Sequence, residues 1–325
     1  MRDFFHQLKQ RSILTLLTLF FLGSSAVIGK ESALTKIWVQ LDWIKNAQFA
    51  GVLWAEAQGW YREAGLDVEI HAVDKITMEA IAPVLHYDGI AIGVADGSAL
   101  VHAKSGGAPI KAFGTMFQAS PLGIVTLKSS GLITVASLRG KRIGLHADDR
   151  MQLGFMLKHA GLKPQDVTIM EIGDDIHSLP ESKIDAQVCY VIDEAIALKT
   201  AGHDVNTLLG FENGYQAYSQ IYFTTEATWK TRRAVLQKFL EISNRGWRAV
   251  LADKPGAAQL IVSRFQPSVS IAYQEASLAV IEQIVGAETG LKGIGQMRRE
   301  TWEATTGATA ALIDGLVDFN LAKSS

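Results

Sequence analysis

Cysteine is nearly absent from the sequence. The 325 residues contain one cysteine, Cys189, so the chain has no internal disulfide framework and no thiolate cluster that could bind a metal. Stability must therefore come from a buried core, which a chain of this length can supply. Cys189 itself is more typical of a small buried apolar group than of a nucleophile.

Sequence motifs for nucleotides and metals are also missing. There is no Walker A loop, no G-x-G-x-x-G fingerprint and no G-x-S-x-G elbow. The eight histidines are scattered and lack the i, i+4 pairing of a zinc helix. The formal net charge is -2, and basic doublets such as Arg232 and Arg233 stand isolated. We therefore expect no metal, no cofactor, no catalytic residues and no nucleic-acid partner.

A long apolar run occurs only once, near the N-terminus. Arg2, Lys9 and Arg11 precede the run SILTLLTLFFLG, and small residues follow it up to Ala26. This order is typical of a secretory signal peptide over residues 1–26. A membrane anchor is the alternative, but the run is shorter than the ~20 residues that cross a bilayer. We therefore expect the mature protein to be exported.

Strand-like and helix-like segments alternate along the remaining chain. In KIWVQLDW, Ile37, Val39 and Leu41 alternate with their neighbours, which predicts a strand. Further strands are predicted at LDVEIHAV, GIAIGVA, APIKAFGTM, LGIVTLK, KRIGLHA, QDVTIMEIG, IDAQVCYV and QIYFTT. From residue 227 onward the pattern is almost wholly helical. Alternation of this kind predicts an α/β fold with mostly parallel sheets and helices on both faces.

The number of strand–helix units is sufficient for two lobes. The long C-terminal helices predict that the chain returns to the lobe in which it started. One lobe would then contain residues 34–121 and 221–325, and the other residues 122–220. LGIVTLK and QIYFTT would be the two crossing strands of a hinge, with a ligand in the cleft between the lobes.

Polar and aromatic residues at the ends of strands are the candidate ligand contacts, because open α/β sheets bind ligands beyond the carboxyl ends of their strands. The candidates are Trp43, Asn46, Asp96, Ser98, Phe117, Gln118, Tyr190, Asp193, Glu194 and Tyr218. The same rule points to Asp42, Asp148 and Asp149. Structural alternatives exist: Asn46, Asp96, Asp148 and Asp193 could cap helices, and Tyr190 could pack in the core with a satisfied hydroxyl.

The stretch LDWIKNAQFAG, together with AEAQGWYREAGLDVEI, closely resembles the solute-binding proteins of the thiamine-pyrimidine-precursor type. The similarity continues through YDGIAIGVADGSALVHAKSGGAPI and KIDAQVCYVIDEAIALKTAG, and it covers nearly the whole mature chain. The resemblance implies a two-lobed type II periplasmic-binding fold with two crossing hinge strands. It also implies a periplasmic protein that delivers a small molecule to an ABC transporter permease in the inner membrane. We expect a monomer that is not an enzyme.

The resemblance further implies roles for two residues. Trp43 matches the aromatic residue that stacks on the pyrimidine ring, and Glu194 in YVIDEA matches the acid that accepts the amino group. Asp193 and Ala195 replace asparagine and proline of the family pattern, and the added carboxylate favours an amine or a cationic group.

The expected ligand is therefore a formylaminopyrimidine or hydroxymethylpyrimidine. Riboflavin is one alternative. An anion, such as an aliphatic sulfonate, taurine or nitrate, is another, although it would need cations in the cleft and only Arg150 is near the strand ends. An exported enzyme on the same scaffold is the third alternative, motivated by a related branch that synthesises the pyrimidine.

Overall fold

A computed structural model describes residues 33–73, 80–173, 176–287 and 290–321. The predicted signal peptide, residues 1–26, lies outside these described residues. Within them, no helix has the length and apolar character needed to cross a membrane. From Thr35 onward, the described chain forms one unit that contains both sheets.

Two five-stranded sheets organise the described chain. The first sheet contains, in spatial order, β2 (Leu66–His71), β1 (Thr35–Gln40), β3 (Ala91–Ala95), β10 (Ser219–Thr225) and β4 (Ile110–Phe117). The second sheet contains β7 (Thr168–Glu171), β6 (Arg142–Leu145), β8 (Ala186–Tyr190), β5 (Leu122–Leu127) and β9 (Val205–Leu209). The predicted strands are present, and β9 is an additional strand that the alternating pattern did not reveal.

Each sheet mixes parallel and antiparallel pairs. β1 runs parallel to β2 and β3, and β6 runs parallel to β7 and β8. In contrast, β10 is antiparallel to β3 and β4, and β5 is antiparallel to β8 and β9. Four of the five strands in each sheet therefore run in one direction, as predicted, and one strand, β10 or β5, runs against them. The chain reaches each of these two strands from the other sheet, and not through a helix packed on the same sheet. The strand–helix–strand connection that makes neighbouring strands parallel is therefore absent before β5 and β10.

Twelve α-helices occur in the described residues. In chain order they are α1 (Ala50–Ala57), α2 (Trp60–Glu63), α3 (Ile81–His86), α4 (Gly97–Ser105), α5 (Arg150–His159), α6 (Glu194–Thr200), α7 (Glu226–Thr231), α8 (Arg233–Ala252), α9 (Lys254–Arg264), α10 (Ile271–Val285), α11 (Arg299–Thr306) and α12 (Ala310–Leu316). Helices α5 and α6 accompany the second sheet, and with it they form lobe 2. The first sheet and the other helices form lobe 1.

The chain passes between the lobes twice. Residues 118–121 connect β4 to β5, and residues 210–218 connect β9 to β10. The predicted crossing strands are β5 and β10, but each of them lies within a single sheet. The chain passes between the lobes in the segments just before these strands, residues 118–121 and 210–218. The predicted boundary between residues 220 and 221 falls inside β10.

The buried apolar core continues from one lobe into the other. One cluster includes Phe49 and Trp247 of lobe 1 together with Val191 of lobe 2. Helix α10 contributes polar contacts at the same place, since the Ser277 hydroxyl donates to the carbonyl oxygen of Ile192 at 2.7 Å. The segment between β8 and α6 is therefore held against lobe 1.

Candidate functional site

The candidate site lies where strand ends of the two lobes meet. In lobe 1, β1 and β3 are parallel neighbours, so Asp42 and Asp96 emerge at the same edge. Because β10 is antiparallel to β3, its first residues lie at this edge as well, with Ile221 paired to Ala95. In lobe 2, the parallel strands β6 and β8 direct their carboxyl ends to one edge in the same way.

A cavity of about 340 Å³ lies between these two edges. Its volume is within the range of small-molecule sites. The described residues that line it are Asp42, Trp43, Gln48, Ala80, Ile81, Ala95, Asp96, Ala99, His146, Asp149, Cys189, Tyr190, Asp193 and Glu194. Carboxylates dominate the polar part of this set, and no lysine or arginine is among the described lining residues.

Five of the ten predicted contacts lie together at this cavity. They are Trp43, Asp96, Tyr190, Asp193 and Glu194. Neither Asp96 nor Asp193 uses its side chain to cap the helix that follows, so the capping alternative is not realised. The structure thus places the aromatic residue and the acids of the expected site around one space.

The side chains of the other predicted contacts lie elsewhere. Asn46 accepts a hydrogen bond from the backbone N–H of Gln48 at 3.0 Å and so caps a short 3-10 helix. Phe117 is fully buried and packs edge-on against Trp247. Ser98 borders a separate pocket of about 10 Å³. These contacts are structural, and a ligand-binding role for the three residues stays a prediction.

Gln118 and Tyr218 lie near the two passages between the lobes. The Gln118 amide donates to the backbone carbonyls of Gly293 at 3.1 Å and Gln296 at 3.0 Å. The Tyr218 hydroxyl accepts a hydrogen bond from the backbone N–H of Arg298 at 2.8 Å. Both side chains therefore attach a passage to the C-terminal part of lobe 1.

Asp96 is the centre of a hydrogen-bond network that crosses the cleft. Its carboxylate accepts hydrogen bonds from the hydroxyls of Tyr190 and Ser219. The backbone N–H of Gln220 is a third donor. Burial raises the pKa of Asp96, and these donors partly offset that effect because they favour the charged form. Burial and then the charge of Asp96 raise the pKa of Tyr190 well above its ordinary value.

Asp42 lies beside this network. Nε2 of Gln220 approaches its carboxylate at 3.4 Å. Burial and then the negative charge of Asp96 raise the pKa of Asp42 well above its ordinary value. Gln220 has a φ of +56°, a left-handed conformation that few non-glycine residues adopt within a strand. The register of β10 against β4 shifts further along the strand, between Tyr222 and Phe223.

The acidic and thiol groups of lobe 2 are also shifted by their surroundings. Burial raises the pKa of Asp193 to about 6. Burial, and then the charge of Glu194, raise the pKa of the Cys189 thiol well above its ordinary value. Cys189 is therefore held as a neutral thiol, as expected for a small buried group. Among the described residues, no group of three or more His, Cys, Asp or Glu side chains is arranged to hold a metal ion.

Several residues at the cavity were not among the predicted contacts. The strand-end rule does reach Asp42 and Asp149, and it would have reached His146, which directly follows β6. Gln48 lies on the short 3-10 helix after β1, where no sequence signal marks it. Gln220, which contacts Asp42 but does not itself line the cavity, was missed because its position at this edge depends on the antiparallel direction of β10, which a local pattern does not reveal.

Comparison with known proteins gives matches over most of the chain. A family model described as NMT1/THI5 like matches residues 46–258. The chain is 25% identical over 283 residues to the riboflavin-binding protein RibY of Chloroflexus aurantiacus, which covers 85% of this chain and 80% of that protein. It is 22% identical over 252 residues to a 4-amino-5-hydroxymethyl-2-methylpyrimidine phosphate synthase of Legionella pneumophila, covering 74% of this chain and 77% of that protein.

The fold also has solved counterparts. The periplasmic aliphatic sulphonate binding protein SsuA of Escherichia coli is similar in structure, with a TM-score of 0.61 and 16% sequence identity. The superposition covers 76% of this chain and 83% of that one. At this identity the likeness shows the two-lobed periplasmic-binding fold and leaves the ligand to be argued from the site.

Proposed function

Because the chain belongs to the NMT1/THI5-like family, we propose that it is the periplasmic solute-binding protein of an ABC importer. Its ligand would be a small heteroaromatic compound, such as the hydroxymethylpyrimidine or formylaminopyrimidine precursor of thiamine. The likeness to periplasmic binding proteins supports the transport role and the periplasmic location. Residues 1–26 would then be the export signal.

The observation that carries this proposal is the pairing of an aromatic wall with acidic groups around one cavity. Trp43 of lobe 1 and Glu194 of lobe 2 both line the 340 Å³ space. Offset stacking on a tryptophan would stabilise a flat heterocycle by ~0.5–1.5 kcal/mol beyond its area burial. An ionised glutamate is a strong acceptor for a ring amino group. A pyrimidine with an exocyclic amine satisfies both requirements.

Closure of the lobes around the ligand would complete the site. The hinge would consist of the passages 118–121 and 210–218, between a lobe of residues 34–121 and 221–325 and a lobe of residues 122–220. A ligand in contact with Trp43 and Glu194 would then stabilise the closed form. The permease would recognise that form on the surfaces of both lobes, with the protein acting as a monomer.

Riboflavin is the second candidate ligand. Its support is the likeness to a protein named as riboflavin-binding, which extends over 85% of this chain. The isoalloxazine ring is also flat, so it would use the same tryptophan wall. It differs from the pyrimidines in having no exocyclic amino group for Glu194.

The nature of the lining residues favours these ligands over an anion. Asp42, Asp96 and Asp193 contribute carboxylates to the cavity. The nearest cation expected from the sequence, Arg150, instead forms an ion pair with Glu171 at 2.7 Å on the surface. A sulfonate would meet negative charge from both walls.

The cavity also favours binding over catalysis. The relative from Legionella is named as a synthase, so an enzymatic role is a reasonable alternative. In this chain the thiol that lines the cavity, Cys189, has a pKa raised by burial, and a nucleophile requires the opposite shift. We therefore propose that the ligand is released unchanged.

Identification of the co-purified ligand tests the proposal. The protein is exported, purified without unfolding, and its bound small molecules are analysed by mass spectrometry. Calorimetric titration of the emptied protein with 4-amino-5-hydroxymethyl-2-methylpyrimidine, riboflavin and taurine follows. Binding of the pyrimidine, or of riboflavin as second candidate, without chemical change supports the proposal. Binding of taurine alone, or conversion of the ligand, contradicts it.

A further inference from the structure

The lobe 1 wall of the cavity contains two adjacent carboxylates whose role is not explained by stacking or by Glu194. Asp42 and Asp96 follow the neighbouring strands β1 and β3, and both line the cavity. In the described part of the chain, neither forms an ion pair with a lysine or arginine. Burial raises the pKa of Asp42, and the negative charge of Asp96 raises it further, as expected for two neighbouring carboxylates.

The donors around these carboxylates are unequally distributed. Asp96 accepts from the hydroxyls of Tyr190 and Ser219 and from the backbone N–H of Gln220. Within the described residues, Asp42 has only a long contact with Nε2 of Gln220, 3.4 Å from one carboxylate oxygen and 3.5 Å from the other, besides its own backbone N–H. A carboxylate offers about four lone-pair positions, so Asp42 keeps acceptor capacity. Since Asp42 lines the cavity, that capacity is accessible to a ligand.

Gln220 provides a second and independent sign of a missing donor. Its side chain is fully buried, and its Oε1 has no hydrogen-bond partner within the described residues. Buried amide carbonyls are normally paired, and an unpaired one is costly. The left-handed φ of +56° is a further strain on this residue. Its amide is thereby brought to the Asp42 carboxylate, where a ligand nitrogen with several N–H groups would find acceptors.

We propose that Asp42 and Asp96 form a subsite for a cationic nitrogen of the ligand, either an ammonium or an amidinium group, with Gln220 as its positioning residue. The inference rests on the proposed function, since it needs a ligand in the cleft, and it narrows the ligand class. A cation would neutralise the repulsion between the two carboxylates and supply N–H donors to Asp42. The ligand would thus present a flat ring to Trp43 and positive charge to lobe 1.

Two probes of the same shape separate charge from stacking. Benzamidine is a flat aromatic amidinium, and benzamide is its neutral counterpart. Both are titrated into the emptied full-length mature protein by calorimetry. We expect wild type to bind benzamidine at least about tenfold more tightly than benzamide, because charge-assisted hydrogen bonds are roughly twice as strong as neutral ones. In Asp42→Asn and in Asp96→Asn, this preference should fall to about threefold or less.

A matched control replaces an aspartate outside the cleft. Asp204 has an 88% exposed side chain and a long ion pair with Lys128 at 3.7 Å. Asp204→Asn removes the same charge and should keep the wild-type preference for benzamidine. If it loses the preference too, the effect comes from net charge and the subsite is refuted.

The comparison in wild type does not depend on the folding of any variant. Equal binding of benzamidine and benzamide by wild type overturns the subsite, as does an Asp42→Asn protein with the wild-type preference. Failure of the proposed function has a different signature. If wild type binds 4-amino-5-hydroxymethyl-2-methylpyrimidine but binds benzamidine no more tightly than benzamide, only the proposed subsite is refuted. If neither the pyrimidine nor riboflavin binds, the proposed function is lost as well.

Discussion

Tyr190 of lobe 2 donates a hydrogen bond from its hydroxyl to the carboxylate of Asp96 in lobe 1. Tyr190 ends β8 and Asp96 follows β3, so the bond joins the two walls of the cleft. Ser219, the first residue of β10, donates to the other oxygen of the same carboxylate. The protein's own side chains therefore connect the lobes at the place where the ligand is proposed to bind.

Removal of this hydroxyl should loosen the connection between the lobes. We expect Tyr190→Phe to lower the free energy of unfolding by about 1–3 kcal/mol, since Asp96 loses a donor while remaining buried. The ligand-free protein should also populate a more open form. Small-angle X-ray scattering would detect it as an increased radius of gyration, and denaturant titration would measure the stability.

A hydroxyl inside one lobe serves as the control. The buried Tyr61 shares a hydrogen bond with Ser243 at 2.8 Å, and both belong to lobe 1. Tyr61→Phe should reduce stability by a comparable amount without changing the radius of gyration. An unchanged radius in Tyr190→Phe would show that this bond does not hold the cleft closed.

The tryptophans near the N-terminus should separate into ligand-binding and structural groups. Trp43 lines the cavity. Trp54 lies on α1, packs against the core and is not among the residues that line the cavity. Trp43→Ala should keep the fold and weaken ligand binding at least about tenfold, through lost stacking and lost apolar contact. Trp54→Ala should mainly reduce stability, by about 1–3 kcal/mol because its side chain is half-buried.

Calorimetry with the ligand identified by mass spectrometry measures the first effect, and thermal denaturation measures the second. Trp43→Phe is a useful intermediate, since it keeps an aromatic face of smaller area and should retain part of the affinity. Wild-type affinity in Trp43→Ala would mean that the pocket has been assigned to the wrong place.

Local sequence patterns were sufficient for most of the fold. The apolar run GIAIGVA predicts β3, and Asn46 is predicted as a possible helix cap, a role that the structure confirms. The family resemblance is confirmed by the match over residues 46–258. These features depend on short-range periodicity and capping, which are determined by residues that are close in sequence.

Features that depend on long-range pairing were not predictable in the same way. The antiparallel direction of β10 is set by the passage between the lobes, and it alone brings Gln220 beside Asp96. The strand-end rule likewise selected Phe117, but at the end of β4 this side chain faces Trp247 of α8. Which face a strand end presents depends on the helices packed there, and these are distant in sequence.

The close packing of α1 and α8 should make one glycine indispensable. A Cβ atom added at Gly246 would lie 2.0 Å from the carbonyl oxygen of Gly51. Because this neighbour is backbone, it cannot rotate away, and the helices would have to separate. We expect Gly246→Ala to cost at least about 1–3 kcal/mol, or to prevent folding, as measured by urea denaturation and circular dichroism.

A second helical glycine provides the matched control. Gly154 lies within α5 of lobe 2, and a Cβ added there would have no heavy atom within 4 Å. Gly154→Ala should therefore stabilise the protein by about 0.5–1 kcal/mol, since alanine has the higher helix propensity. Similar effects from both substitutions would refute the close packing of α1 on α8.

The carboxyl of Asp193 should make stability depend on pH. Burial raises its pKa to about 6 in the folded protein, whereas an unfolded aspartate titrates near 3.9. Between these values the folded state holds a proton that the unfolded state has lost. Stability contributed by this group is therefore present below about pH 4 and is lost as pH rises through 6, by roughly 3 kcal/mol in total.

Asp193→Asn should flatten this dependence, because asparagine cannot ionise. Urea denaturation at pH 4.5 and pH 7.0 would show a smaller loss of stability in the variant than in wild type. Part of the slope should persist, since the raised pKa values of Asp42 and Asp96 act with the same sign. Asp204→Asn, which removes an exposed carboxylate outside the cleft, is the control variant. A slope in Asp193→Asn equal to that of wild type would show that Asp193 is not the titrating group.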